Sequence, residues 1–276
     1  MRRRRVLLTV ILLALAALLA WTVWANGALT LTRVTLSSAE IPEEFRGFKI
    51  AHISDLHNAV FGEGNEELLS LLREAEPDII TVTGDLVDSR HTDTAAALDF
   101  AARAAGIAPV YYVTGNHEAR LDFASIEAGL EAAGVRVLRS EAVTLSRGGA
   151  EITLAGIDDP AFVESGAPAS ERAAELLDGL IPPEGFAILL AHRPELVETY
   201  AAYGADAVLS GHAHGGQIRL PIIGGLYAPG QGALPKYDSG LYTVSGCSLI
   251  VSRGLGNSVF PLRINNRPEL LLITLE

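Results

Sequence analysis

Seven side chains of the kinds that hold divalent metals stand where short apolar runs break: Asp55, His57, Asp85, Asn116, His192, His212 and His214. Singly, each has an ordinary explanation, since Asp and Asn are common turn residues and a lone histidine is more often a structural group than a ligand. The joint pattern is different, because five of the seven histidines lie at such breaks, each beside or in place of an Asp or Asn. The donors are carboxylate, imidazole and amide with no thiolate, a set that suits Mn²⁺, Fe²⁺ or Zn²⁺ rather than a structural cysteine-type zinc site. In Asp55-x-His57 and His212-x-His214, alternate residues leaving a strand reach neighbouring points on one side, as two metals about 3.5–4 Å apart require. Two cations that close repel each other, and a shared carboxylate offsets the repulsion. Asp85 is the candidate bridge.

The elements that must deliver these side chains follow from periodicity. Residues 79–83 are a short β-branched run that ends at Gly84-Asp85. This predicts a buried parallel strand with a carboxylate at its C-terminal end, where open α/β sheets bind ligands. Residues 48–54 predict the strand that ends at Asp55, and 110–113 the strand that ends at Gly115-Asn116-His117-Glu118. Residues 186–191 and 207–210 predict those that end at His192 and at Gly211-His212-Ala213-His214. Helices are predicted over 65–75, with Asn65 as N-cap, and over 94–105, 121–133 and 170–180. Such alternation implies a largely parallel sheet. After Gly134, residues 136–138, 142–145 and 152–157 predict strands joined by short turns, an antiparallel second sheet. Residues 28–36 alternate apolar and polar and predict an edge strand, while 241–245, 248–252 and 270–275 complete the strands.

In order and at the expected strand ends, Asp55-x-His57, Gly84-Asp85-x-x-Asp88, Gly115-Asn116-His117-Glu118, His192 and Gly211-His212-x-His214 resemble the signature of the calcineurin-like metallophosphoesterases. The resemblance covers about residues 46–276. With Gly215-Gly216-Gln217, Arg267-Pro268-Glu269 and an N-terminal apolar segment, the chain is most similar to the membrane-associated bacterial branch. That branch includes phosphodiesterases and UDP-2,3-diacylglucosamine pyrophosphatase-like enzymes. The resemblance implies an α/β fold, a four-layer α/β/β/α sandwich. It also implies two divalent ions, Mn²⁺ ahead of Fe²⁺ or Zn²⁺, one held by Asp55, His57, Asp85 and His214 and the other by Asp85, Asn116, His192 and His212. A hydroxide bridging the metals is expected to attack phosphorus in line, and His117 to protonate the leaving oxygen or stabilise charge on the phosphoryl group. Every ligand position is filled, which argues against a non-catalytic metal-dependent binding module. Asp88 is expected to brace the loop that carries Asp85, His52 and His91 to take no direct part, and Asp158-Asp159-Pro160 to form a turn. Gly215, Gly216 and Gln217 either present polar groups to the substrate or serve the chain's conformation.

The 276 residues, 49% hydrophobic, suffice for one α/β core with a short appendage. Arg2, Arg3, Arg4 and Arg5 precede residues 6–25, which contain no charged side chain. At about 1.5 Å per residue that run reaches about 30 Å, the hydrocarbon thickness of a bilayer. The positive-inside rule keeps the N-terminus cytoplasmic and places the rest outside. Trp21 and Trp24 lie where an interfacial aromatic belt would sit and favour a retained single-pass anchor over residues 1–25. Val23-Trp24-Ala25 is an acceptable signal-peptide cleavage site, and the adjacent arginines also permit a twin-arginine export signal. Residues 26–45 then form a linker and edge strand, and 46–276 the catalytic domain. Residues 26–276 carry 17 basic side chains, the chain's 21 less the four arginines, against 33 acidic ones, a net of −16. Such a surface repels polyanions, which disfavours nucleic acid as partner and a nuclease activity. A phospholipid, a lipid-linked pyrophosphate or a cell-wall polymer phosphodiester lies within reach of the anchor. Cys247, the lone cysteine, excludes an intramolecular disulfide and reads as a small buried hydrophobe.

Overall fold

The computed structural model describes residues 2–257 and 260–276. The chain opens with α1 (Arg2–Gly27) and β1 (Thr30–Leu36), then alternates β2 (Lys49–Ile53), α2 (Glu66–Ala75), β3 (Ile79–Thr83), α3 (Thr94–Ala105), β4 (Val110–Val113), α4 (Phe123–Ala132) and β5 (Val135–Val137). A hairpin of β6 (Glu141–Arg147) and β7 (Ala150–Gly156) leads to α5 (Ala169–Leu177), β8 (Ala187–Leu190), α6 (Val197–Ala202) and β9 (Ala207–Ser210). Short strands follow, β10 (Arg219–Leu220) paired with β11 (Gly224–Gly225) and β12 (Tyr227–Ala228) with β13 (Gly232–Ala233). The chain closes with β14 (Gly240–Val244), β15 (Cys247–Val251) and β16 (Glu269–Leu275).

These strands form two six-stranded sheets in the orders β1-β16-β2-β3-β4-β5 and β14-β15-β9-β8-β7-β6. In the first, β2, β3, β4 and β5 run parallel. In the second, β7, β8, β9 and β15 do. Strands β3, β8 and β9 are buried along their whole length, as parallel strands covered on both faces must be. Ile50, Val113, Leu154, Ile188, Leu209, Ile250 and Ile273 fill the layer between the sheets. Helix α2 lays Leu68, Leu69 and Leu72, spaced at helical intervals, on the first sheet's outer face, with Phe100 of α3 and Leu130 of α4 beside them. Ala173 and Leu177 of α5 and Val197 and Tyr200 of α6 cover the second sheet. The result is the α/β/β/α order expected.

Three expectations need correction. The second sheet is not antiparallel, because only its edge pairs, β6–β7 and β14–β15, are. Its centre is parallel because α5 and the short α6 supply crossovers, which parallel neighbours require. Residues 135–137 belong to the first sheet, pairing in parallel with β4. Asn65 precedes α2 but does not cap it, since its side chain accepts from Phe61 N and its own backbone is left-handed. Asp93, by contrast, caps α3 through Ala96 N.

Candidate metal centre

All the donors predicted from the sequence meet where the C-terminal ends of the two sheets face each other. The loop after β2 brings Asp55 and His57, and the loops after β3 and β4 bring Asp85, Asn116 and His117. The second sheet supplies His192 after β8 and His212 and His214 after β9. The ligating atoms of Asp55, His57, Asp85 and His214 lie within 4.8 Å of one another, as do those of Asp85, His192 and His212. Asn116 Oδ1 joins the second group, 3.3 Å from His192 Nε2. Asp85 Oδ2 stands between the groups, 3.5 Å from His57 Nε2 and 3.4 Å from His192 Nε2.

Hydrogen bonds to the far side of the rings settle which nitrogen faces the centre. His192 Nδ1 lies 2.7 Å from the Thr83 carbonyl, which can only accept, so that nitrogen carries a proton and Nε2 is the one that offers a lone pair in the neutral ring. His212 turns Nδ1 inward, 3.0 Å from His192 Nε2. His57 Nε2 and His214 Nε2 face each other at 3.3 Å, and Asp55 Oδ1 lies 3.4 Å from the latter. Lone pairs and buried carboxylates thus converge on common points, an arrangement that fits divalent cations and that apolar packing cannot reconcile. The carboxylates here demand positive charge. Burial acts to lower His192, yet the carboxylates of Asp85, Asp55 and Asp159 outweigh it and raise the ring to about 10, so without a cation the ring itself is protonated, and a cation would take the place of that proton. Burial acts to raise Asp85, but the His192, His57 and His117 rings hold it well below the usual carboxylate range. His212 and His214 are driven well below the ordinary imidazole range, by burial first, and so are neutral, the form that ligates.

The backbone at the centre is strained. Asp55, His57, Asp85, His212 and His214 all have φ between 45° and 62°. Left-handed backbone costs a non-glycine residue about 1–2 kcal/mol, and such outliers cluster at functional sites. Neighbouring glycines make room: a Cβ on Gly115 would strike the Asp85 carboxylate, and one on Gly211 would strike Ser54 Oγ and the Asp55 carboxylate.

His117 lies beside the donors, its Nε2 4.0 Å from Asp85 Oδ2. Its Nδ1 accepts the Ser89 N–H at 3.0 Å, which leaves the proton of the neutral ring on Nε2, facing the centre. Asp88 stands 3.5 Å from His117 Nδ1 and 3.9 Å from His57 Nδ1 while bonded to Arg90. It thus stands behind two rings, where the expectation was a brace for the loop that carries Asp85. A groove of about 540 Å³ opens over the site, lined by His57, Asn58, Asp88, Arg90, His91, Asn257 and Pro261. His91 is therefore a wall of the groove. His52 is a structural group, buried between Thr81 Oγ1 and the Ser210 carbonyl. Asp159 and Asp158 pair with Arg193 and Arg139 rather than simply closing a turn. Gln217 donates to the Phe260 and Leu262 carbonyls, so it serves conformation. Cys247 is free and buried.

Two residues given no role from sequence matter here. Glu118, fully buried, accepts the N–H groups of Asp85 and Gly115 at 2.9 Å and of Val87 at 3.2 Å, and so clasps the loops after β3 and β4 together. Its place at the end of the Gly-Asn-His-Glu run was the only available signal. Arg263, also buried, donates to the carbonyls of Arg253 and Gly256 and reaches to 3.5 Å from His214 Nδ1.

Residues 48–216 match the calcineurin-like phosphoesterase family. The chain belongs to that family. It is 32% identical over 251 residues to the uncharacterized metallophosphoesterase YkuE of Bacillus subtilis, covering 89% of this chain and 85% of that one. It is 29% identical over 234 residues to the phosphodiesterase YaeI of Escherichia coli, covering 83% and 82%. A zebrafish (Danio rerio) transmembrane protein with a metallophosphoesterase domain is 29% identical over 255 residues, covering 88% of this chain and 56% of that one. Among solved structures, a sulfate thiohydrolase, SoxB, of Thermus thermophilus shares the fold at TM-score 0.52 and 14% identity, covering 85% and 57%. This calcineurin-like enzyme is therefore a hydrolase of phosphoesters, of a family that works with divalent metals, and it has a candidate two-metal site.

Proposed function

We propose that the chain is a two-metal phosphodiesterase tethered by α1 at an extracytoplasmic membrane surface, and that it cleaves a lipid phosphodiester or a lipid-linked pyrophosphate. The observation that carries this reading is the Asp85 carboxylate, poised between two donor groups that no other side chain joins among the described residues. Asp55, His57, Asp85 and His214 would hold one cation, and Asp85, Asn116, His192 and His212 the other. When bound, such a pair acidifies water and neutralises phosphate oxygens. His117 presents Nε2–H to the departing oxygen, its ring oriented by the Ser89 N–H. The wall of His91, Arg90 and Asn257 orients the rest of the substrate in the groove.

The anchor reading is supported by α1 itself, one continuous helix of 26 residues with mean hydropathy 2.7 over its best window. It continues past Ala25, which is buried, so a peptidase would have to cut inside a docked helix. The arginines before it orient the domain outward, and the relative named as transmembrane is consistent with it.

The test uses Mn²⁺-loaded full-length protein against bis(p-nitrophenyl) phosphate, phospholipids and nucleotide diesters. Asp85→Ala is expected to lose both metals on elemental analysis. His117→Ala is expected to keep both and lose about 10²–10⁴ in kcat. A metal-free His117→Ala, or a fully loaded Asp85→Ala, would overturn the assignment, and preferential cleavage of DNA or RNA would overturn the substrate class.

A further inference from the structure

Beside the exit of α1 lies a set of exposed apolar side chains that neither the core nor the site employs. Leu220, Ile222 and Ile223 are 40%, 107% and 61% exposed, and Phe260 and Leu262 are 45% and 37% exposed. Ile222, in the loop between β10 and β11, has φ 72°. That conformation suits glycine or asparagine and costs a β-branched residue on the order of 1–2 kcal/mol, so the backbone does not explain an isoleucine there. Burial does not explain it either.

These segments are fastened to the end of α1. The Asn26 side chain accepts from Arg263 N and donates to the Arg263 carbonyl, both at 2.8 Å. Arg267 lies over the Trp24 ring at 5.3 Å and donates to the Ala28 and Leu29 carbonyls. Arg219 N donates to the Ile264 carbonyl at 3.0 Å, which lays β10 along the 260–264 segment. Ile222 is three residues further on, about 10 Å of extended chain. Charge does not decide the matter: no acidic residue falls in residues 207–237 or 254–268, but Arg219 pairs with Asp238 at 3.0 Å, Lys236 pairs with Glu198 at 3.6 Å, and Arg263 is buried.

We propose that Leu220, Ile222, Ile223, Phe260 and Leu262 form a second membrane contact, a shallow apolar foot set into the headgroup layer of the phospholipid bilayer beside α1. Exposed apolar side chains fastened to the end of a membrane-spanning helix suit that interface, where they sink about 5–10 Å. The Gln217 side chain, bonded to the Phe260 and Leu262 carbonyls, ties the foot to the loop that carries His212 and His214. The foot thus holds the rim of the centre at the lipid surface, an arrangement that rests on α1 being a retained anchor.

The test places an environment-sensitive fluorophore on Ile222→Cys in the full chain, reconstituted into vesicles of phosphatidylethanolamine and phosphatidylglycerol. Ser146→Cys, exposed on β6 near the start of β7 and so at the end of the sheet away from the centre, is the reference. Iodide quenching at 222 should fall several-fold below that at 146, with blue-shifted emission. Sodium carbonate extraction reads α1 separately. A carbonate-resistant protein whose two labels quench alike overturns the foot and leaves the anchor standing, whereas an extractable protein refutes the anchor and the foot with it. Shielding at 222 that disappears on diluting protein at fixed lipid assigns the patch to a second copy of the chain and also overturns the proposal. Circular dichroism of each labelled variant checks the fold, which substitution at a fully exposed tip should preserve.

Discussion

Replacing Glu118 tests whether the centre depends on a residue that touches no cation. Its Oε2 takes two N–H groups, from Asp85 and Gly115, and its Oε1 one, from Val87. In Glu118→Gln an amide oxygen at the first position keeps two of these bonds, and the new NH₂ faces the Val87 N–H. One buried donor is then orphaned, at about 1–3 kcal/mol. Glu118→Ala orphans all three and should lose on the order of three times as much. For a domain near this size each kcal/mol moves the melting temperature about 2–4 °C, so the glutamine variant should melt about 2–12 °C lower. The site should suffer as well. Asp85 is held at φ 49° with its N–H on Glu118, and releasing that grip lets the carboxylate relax out of position. Loss of a residue that orients a ligand typically lowers metal affinity about 10–100-fold. Thermal unfolding in EDTA reads the first effect and equilibrium dialysis with elemental analysis the second. A glutamine variant with unchanged melting and unchanged metal affinity would refute the clasp, and lowered melting with unchanged affinity would show that it supports the fold alone.

His52 offers a pH-dependent test away from the donors. Burial lowers it from 6.5 to about 4, with the Ser210 carbonyl and Glu269 acting the other way. The unfolded chain therefore binds a proton near pH 6.5 that the fold refuses until about pH 4. The neutral ring costs nothing above 6.5, and stability falls by about 1.4 kcal/mol per pH unit as pH drops through that window. His52→Gln should flatten this part of the urea-derived stability profile, and an unchanged slope would mean that His52 is charged in the fold. Gly211→Ala should lose about 1–3 kcal/mol through overpacking and displace Asp55, lowering occupancy of the site it shares with His57 and His214. Gly166→Ala, where a Cβ meets nothing within 4 Å, is the control, and equal occupancy in the two variants would contradict the reading. Asn26→Ala removes the acceptor of the Arg263 N–H, so hydrogen exchange at that amide should accelerate on the order of tenfold or more, 1.4 kcal/mol being one decade. Exchange no faster than wild type would show that Asn26 does not dock α1.

Periodicity sufficed where an element's identity is local. Helix α3 and strand β9 occupy the residues predicted, because an alanine-rich helical run and a short apolar run that breaks at Gly211 declare themselves without help from distant partners. It failed where pairing decides. Residues 135–137 are too short to signal their sheet, and only β4, some 25 residues earlier, fixes it. Helix α6 spans six residues and hides between His192 and β9. In the site, residue types at strand ends made the donors legible, but left-handed backbone at non-glycine positions leaves no mark in sequence. Arg263 was invisible for the opposite reason, since a guanidinium reads as surface until the carbonyls of Arg253 and Gly256 are seen to enclose it.

The division of donors between sheets has a consequence for how stability and catalysis are joined. The first sheet brings Asp55, His57, Asp85, Asn116 and His117, and the second brings His192, His212 and His214. Each proposed cation draws on both, so neither half makes a site alone. The layer of Ile50, Ile188, Leu209 and Ile273 between the sheets therefore sets the distance between donor groups as well as the energy of the fold. A cavity opened there, at about 2–5 kcal/mol for Ile→Ala, lets the halves shift and loosens both cation sites together. The converse follows from linkage. A metal at a hundred times its Kd adds about 2.7 kcal/mol to the folded state, comparable to the strain of two left-handed residues. Strain at Asp55, His57, Asp85, His212 and His214 is thus borne by the sandwich and would be offset by metal at the proposed sites. The loaded protein would then be the more rigid form, and hydrogen exchange in the loops after β2, β3 and β9 should be faster in EDTA than with Mn²⁺; equal rates would refute the coupling.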